Sequence, residues 1–192
     1  MLSIRRARSA RVLAVGTSFR VVVLPVVMGL ILLGHSGTDG AYPAAAALFA
    51  LGAATDYLDG RLARRWDVAT PFGSFLDTTA DKLLVSGVLI ALVAVGRASP
   101  WLAAAIVARE LAILGLRAAV AVSGTVVQPS LLGKWKATLQ FAAIVLAILR
   151  PGDPIGPAYL DEWALLIATA VTILSAIDYV ARFSSSIREG AE

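Results

Sequence analysis

The sequence contains no cysteine, which excludes a disulfide framework and a thiolate metal site. Charge is scarce as well. Asp, Glu, Lys and Arg make up 16% of the 192 residues, whereas an ordinary globular domain carries roughly 25%. That shortage excludes a soluble domain with an ordinary polar surface. No internal repeat or low-complexity segment stands out. The net charge of +4 is small, and no nucleic-acid partner is expected. What is abundant is apolar: 58% of the chain is hydrophobic, with a mean hydropathy of +0.80. These residues gather into long runs, which points to a bilayer as solvent.

Six apolar stretches lie at about 15–34, 43–60, 72–96, 101–122, 133–150 and 160–182, each near the roughly 20 residues needed to cross a hydrocarbon core. The breaks between them carry turn chemistry, as in Gly96-Arg97-Ala98-Ser99-Pro100 and Arg150-Pro151-Gly152-Asp153-Pro154. The pattern predicts an all-α fold, an integral membrane bundle of six transmembrane helices over 15–182, with a polar tail over 183–192. An even number of spans puts both termini on one side. Of the 17 Lys and Arg residues, only Arg97 and Arg150 fall in the loops after spans one, three and five. Both termini are therefore expected on the cytoplasmic side. The placement of aromatic residues agrees: Tyr42, Trp101, Tyr159 and Trp163 fall at outer boundaries, and Tyr57, Trp66, Trp135 and Tyr179 at inner ones. Residues 1–14 carry Arg5, Arg6, Arg8 and Arg11 and read as an N-terminal interfacial basic helix on anionic headgroups. A cleaved signal, including a twin-arginine one, is the alternative, but the apolar run that follows exceeds the roughly 7–15 residues of such a core.

An ionisable group inside a bilayer is costly and so marks a candidate functional site. Asp56 and Asp59 are spaced i, i+3 near the inner end of span two. Asp77 and Asp81 are spaced i, i+4 near the inner start of span three. Each spacing places a pair on one helix face, and a short turn makes the two helices expected neighbours. At a rise of 1.5 Å per residue, Asp77 and Asp81 lie about 8 and 14 Å into their span. All four carboxylates can then meet at one depth in the inner leaflet, where they would repel unless cations sat between them. Oxygen-only ligation suits Mg²⁺ or Mn²⁺, and two ions roughly 3.5–4 Å apart are a common clamp for displacement at phosphorus. The alternative pairs the aspartates with Arg61, Arg64, Arg65 and Lys82, which suits Asp67 in the loop better than the four together.

The residues between the two pairs are specific. Asp56-Tyr57-Leu58-Asp59-Gly60-Arg61-Leu62-Ala63-Arg64 is followed by eight residues and then Gly73-Ser74-Phe75-Leu76-Asp77-Thr78-Thr79-Ala80-Asp81. This resembles the signature of the CDP-alcohol phosphatidyltransferase family, D-x2-D-G-x2-A-R-x8-G-x3-D-x3-D, with every fixed position present. At roughly one in fifteen per position, a chance match at one start point is on the order of 10⁻¹⁰. The resemblance implies that Asp56, Asp59, Asp77 and Asp81 hold two divalent ions and that Asp81 is also the general base on the acceptor hydroxyl. It implies that Gly60, Ala63 and Gly73 let the CDP moiety approach closely, and that Arg64 contacts its diphosphate. The donor would be CDP-diacylglycerol, with membrane lipids around it. The protein would be a homodimer in the bacterial cytoplasmic membrane, its active site facing the cytoplasm.

The acceptor is read from the remaining basic residues. Arg109, Arg117, Lys134 and Lys136 lie towards the cytoplasmic side beyond the signature and are candidate contacts for the phosphate of a small anionic acceptor. Asp81-Lys82-Leu83-Leu84, Ala108-Arg109-Glu110-Leu111 and Gly133-Lys134-Trp135-Lys136 look like segments of bacterial phosphatidylglycerophosphate synthases, implying sn-glycerol 3-phosphate as acceptor. This chain departs from them at Ala137, where a Thr is usual, and in having Thr17, Arg20 and Pro25 without the usual preceding Asn. An inositol phosphate or phosphatidylglycerol acceptor is the alternative within the class. An ion channel or transporter is the alternative outside it, and it would spread its acidic residues along the membrane depth. Asp178 and Arg182, four apart near the end of span six, are expected to form an ordinary helix pair.

Overall fold

The computed structural model describes the backbone of residues 2–66, 71–122 and 131–189, and the side chains of 18–55, 75–119, 133 and 135–182. Six helices form among the described residues: α1 (Leu2–His35), α2 (Ala41–Trp66), α3 (Pro71–Ala94), α4 (Pro100–Val122), α5 (Leu131–Leu149) and α6 (Leu160–Glu189). No strand occurs among them beyond an isolated bridge between Ile155 and Ala158. The helices follow the six apolar stretches in number and order. Among the described residues two segments, Ser18–His35 and Leu160–Arg182, are long and apolar enough to cross a membrane, and Ala41–Thr55 and Trp135–Leu149 are shorter apolar ones. α3 and α4, of 24 and 23 residues, are long enough. Asp77, Asp81 and Lys82 interrupt the apolar character of the one, and Arg109, Glu110 and Arg117 that of the other. The expected basic N-terminal helix is not a separate element: α1 runs without a break from Leu2 to His35 and carries Pro25 inside it.

The chain divides into two compact units, Met1–Gly96 and Arg97–Glu192. In the first, α1 packs along both α2 and α3, which meet each other only sparingly among the described residues. The reason lies in the buried face of α1. Arg20, Val23, Val27 and Ile31 recur three or four residues apart as one buried stripe, and Leu24 beside it lies against Gly87 of α3. Small residues let α2 approach: Ala41, Ala45 and Ala46 are buried, and a Cβ on Gly34 of α1 would lie 2.8 Å from the ring of Tyr42. α1 stops at Gly37, whose φ of 91° is a left-handed conformation costly to other residues. There the Gly37 N–H bonds the carbonyl of Gly34 and the Thr38 N–H that of Leu33, both at 3.1 Å, a Schellman closure of the helix end. Where α2 and α3 do touch, Gly52 lies against Leu84, with room for little more than its hydrogen: a Cβ would stand 3.0 Å from the leucine methyl.

In the second unit α6 packs against α5 and α4. Pro100 opens α4 at the first helical position, where a missing N–H costs nothing. α6 begins with a half capping box: the Glu162 carboxylate accepts the Tyr159 N–H at 2.9 Å. The turn before it is anchored by Arg150. Its guanidinium donates to Asp161 at 3.0 Å and to the carbonyl of Arg97 at 3.3 Å, and it lies 4.5 Å over the Tyr159 ring. The α6 faces are inverted relative to a helix in water. Asp161, Leu165, Ala168, Thr169, Thr172, Ser175 and Tyr179 are buried, while Leu166, Ile167, Ile173, Leu174, Ile177 and Val180 are exposed.

Candidate active site

The signature residues stand on α2 and α3 of the first unit. The helical backbone of α2 continues through Trp66, so Asp56 and Asp59 lie one turn apart on it, one turn and more beyond the Gly52–Leu84 contact. On the other side of that contact, Asp81 precedes Leu84 by three residues on α3. The side chains of Asp56, Asp59, Gly60, Ala63, Arg64 and Gly73 lie outside the described residues. Asp77 and Asp81 are described. Asp77 accepts a hydrogen bond from Arg20 Nη1 at 2.6 Å, with the arginine side chain fully buried and the aspartate 28% exposed. Asp81 accepts from Lys82 Nζ at 2.9 Å through Oδ2, and its Oδ1 is buried without a hydrogen-bond partner.

Such an orphaned carboxylate oxygen is expensive unless something electropositive completes it. A donor set made only of carboxylate oxygens fits a hard divalent cation. Asp77 and Asp81, one turn apart on one helix, are thus suited to hold one, although among the described residues no three such side chains cluster. Lys82 supplies the local partner that the alternative sequence reading allowed for Asp81, but it meets only one of the two oxygens.

In the other unit, a separate cluster of charged side chains stands on α4, α5 and α6. Glu110, 1% exposed, accepts from Lys136 Nζ and, at 3.2 Å, from Arg109 Nη1. Arg109 Nη2 also donates to Ser175 Oγ at 3.0 Å. One buried carboxylate therefore gathers two of the four basic residues singled out from the sequence. Arg117 stands apart, its guanidinium 5.2 Å over the Tyr179 ring, a cation–π contact that leaves its N–H groups available. The side chain of Lys134 lies outside the described residues. The expected Asp178–Arg182 pair forms at 3.0 Å.

Two residues of this arrangement were not singled out as site residues. Arg20 is a charge in the middle of an apolar run, a signal that applied to the aspartates and applies equally here. Glu110 was noted only as half of a deep charged dipeptide. Its partner Lys136 is 26 residues away, and no helical spacing links the two.

The CDP-alcohol phosphatidyltransferase family profile matches residues 14–174. The chain is 35% identical to a CDP-diacylglycerol–glycerol-3-phosphate 3-phosphatidyltransferase of Bacillus subtilis over 90% of each chain. A probable phosphatidylglycerophosphate synthase of Mycobacterium tuberculosis is 37% identical over 92% of this chain and 83% of its own. A CDP-diacylglycerol–glycerol-3-phosphate 3-phosphatidyltransferase of Pseudomonas fluorescens is 37% identical over 85% of each. With the eight signature positions intact, an orphaned carboxylate at the last of them, and similarity along nearly the whole chain, this protein is an enzyme of the CDP-alcohol phosphatidyltransferase family.

Proposed function

We propose that the chain transfers the phosphatidyl group of CDP-diacylglycerol to sn-glycerol 3-phosphate, giving phosphatidylglycerophosphate and CMP. The observation that carries this is the intact aspartate signature in a chain similar, along most of its length, to enzymes named for that reaction. Asp56, Asp59, Asp77 and Asp81 would hold two ions, Mg²⁺ or Mn²⁺. The ions supply neutralisation of the diphosphate and polarisation of the phosphorus next to the lipid. Asp81 Oδ1, the oxygen without a donor, takes the proton of the acceptor hydroxyl. The acceptor oxygen bonds to that phosphorus as the bond to the CMP oxygen breaks, and CMP leaves with the electron pair. Gly60, Ala63 and Gly73 leave room for the nucleotide, and Arg64 pairs with its diphosphate. On the acceptor side, Arg109, Arg117, Lys134 and Lys136 are assigned to the glycerol phosphate, with Arg109 and Lys136 gathered on Glu110.

The exposed apolar face of α6 supports a lipid environment. In water that face would be a large hydrophobic patch, while in a bilayer it is the expected surface. We place all six helices across the bacterial cytoplasmic membrane, with the basic start of α1 at the inner surface, the active site cytoplasmic, and two copies forming a homodimer. The deciding experiment is CMP release from CDP-diacylglycerol with Mg²⁺, offering glycerol 3-phosphate, an inositol phosphate or phosphatidylglycerol. Turnover with glycerol 3-phosphate alone, lost in Asp81→Asn, is the expected result. Turnover with another acceptor would keep the chemistry and overturn the assignment of Arg109, Arg117, Lys134 and Lys136.

A further inference from the structure

Most of the described basic side chains in the Arg97–Glu192 unit are met by carboxylates. Arg109 and Lys136 meet Glu110, Arg150 meets Asp161, and Arg182 meets Asp178. Arg117 differs. It is exposed, it forms no ion pair among the described residues, and its guanidinium lies 5.2 Å over the ring of Tyr179. Asp178, the carboxylate next to that ring in the chain, is drawn instead to Arg182 one turn along α6. Arg109, about two turns earlier on α4, is near enough for the two positive charges to act on each other.

A tyrosine that anchors a helix among headgroups faces the lipid boundary. Tyr179 does not: it is 6% exposed, whereas Ile177 and Val180 on either side are 61% and 46% exposed. It lies on the buried face of α6 one turn after Ser175, and each of the two takes one α4 arginine. The Ser175 hydroxyl accepts from Arg109 Nη2 at 3.0 Å and so occupies a donor. The Tyr179 ring attracts the Arg117 charge through its π face and occupies none.

We propose that Tyr179 is a positioning residue for the acceptor phosphate: its ring holds the Arg117 cation in place and leaves the guanidinium donors to that phosphate. The proposal rests on the glycerol 3-phosphate reading given above. A guanidinium has five N–H donors in a rigid fork, and two of them side by side match two phosphate oxygens. A carboxylate in place of the ring would hold Arg117 as well, but it would take those donors and cancel the charge that draws an anion. An arginine already restrained by the ring also loses less side-chain freedom when the phosphate arrives.

The test is CMP release by the purified full-length protein in detergent, varying glycerol 3-phosphate and CDP-diacylglycerol in turn. Tyr179→Leu is expected to raise the KM for glycerol 3-phosphate by about 3–10-fold, the scale of one cation–π contact. Smaller changes are expected in kcat and in the KM for CDP-diacylglycerol. Tyr179→Phe keeps the ring and is expected to hold the acceptor KM within about twofold of wild type. In an Arg117→Gln background, Tyr179→Leu is expected to add no further rise, because the effect runs through that guanidinium. An unchanged acceptor KM in Tyr179→Leu would overturn the proposal, as would an equal rise with and without Arg117. Should Tyr179→Leu fail to fold, Tyr179→Phe decides: a rise in acceptor KM beyond about threefold would mean that the hydroxyl acts and not the ring face. A wild-type protein that does not turn over glycerol 3-phosphate removes the acceptor reading and the proposal with it. That outcome is distinct from a wild type that does and a Tyr179→Leu variant with the same KM.

Discussion

A buried charge is informative because it must be met, and beside the Arg150–Asp161 pair two cases among the described residues stand out. In one unit a signature aspartate is met by Arg20. In the other, Glu110 meets Lys136 and Arg109 at once. The aspartates were legible in the sequence, since carboxylates at helical spacing in apolar runs have few structural explanations. Their partners were not, because pairing across 57 or 26 residues leaves no periodic trace. The Glu110 knot carries a stability prediction. Removing one member of a buried ion pair typically costs about 3 kcal/mol or more, so Glu110→Gln is expected to lower the unfolding midpoint in mixed micelles by an amount of that order. An unaltered midpoint would mean that other groups hold the Lys136 ammonium.

The six helices were legible as elements, because runs of about twenty apolar residues broken by Gly and Pro leave few other assignments. Their packing was not. Chain order makes α2 and α3 neighbours, yet α1 takes most of the contact with both. The sequence also suggested a separate basic helix before the first span, where the structure has one unbroken helix. Gly16, Thr17 and Ser18 offer a weak break there, yet α1 runs through them. The slender meeting of α2 and α3 at Gly52 and Leu84 gives a test at this scale. Gly52→Val forces Leu84 aside and spreads the helices next to the aspartates. Misplacement of about 1 Å near a reacting centre can cost on the order of 10²-fold, and CMP release is expected to fall accordingly. Leu84→Ala in the same chain is expected to restore part of it. Wild-type turnover in Gly52→Val would show that the width of this crossing does not govern the site.

For the molecule as a whole, composition alone indicated the solvent. Only the structure showed that α6 turns Thr169, Thr172 and Ser175 inward beside Leu165 and Ala168, with Leu166, Ile167, Ile173, Leu174 and Ile177 outward. The sequence proposes which groups act, while the division into two units and the burial of each described group depend on packing. The inverted face of α6 also bears on temperature. In a soluble protein, unfolding wets apolar surface, and the resulting heat-capacity change bends the stability curve into a dome that falls on cooling. When helices such as α6 part within lipid, their outer residues were already in hydrocarbon and their inner ones are largely polar, so little new apolar surface meets water. Calorimetry of the bilayer-reconstituted protein should therefore show a heat-capacity step well below the roughly 12–15 cal/mol/K per residue of soluble domains. Its stability should then change almost linearly with temperature, without the loss on cooling that the hydrophobic effect imposes in water.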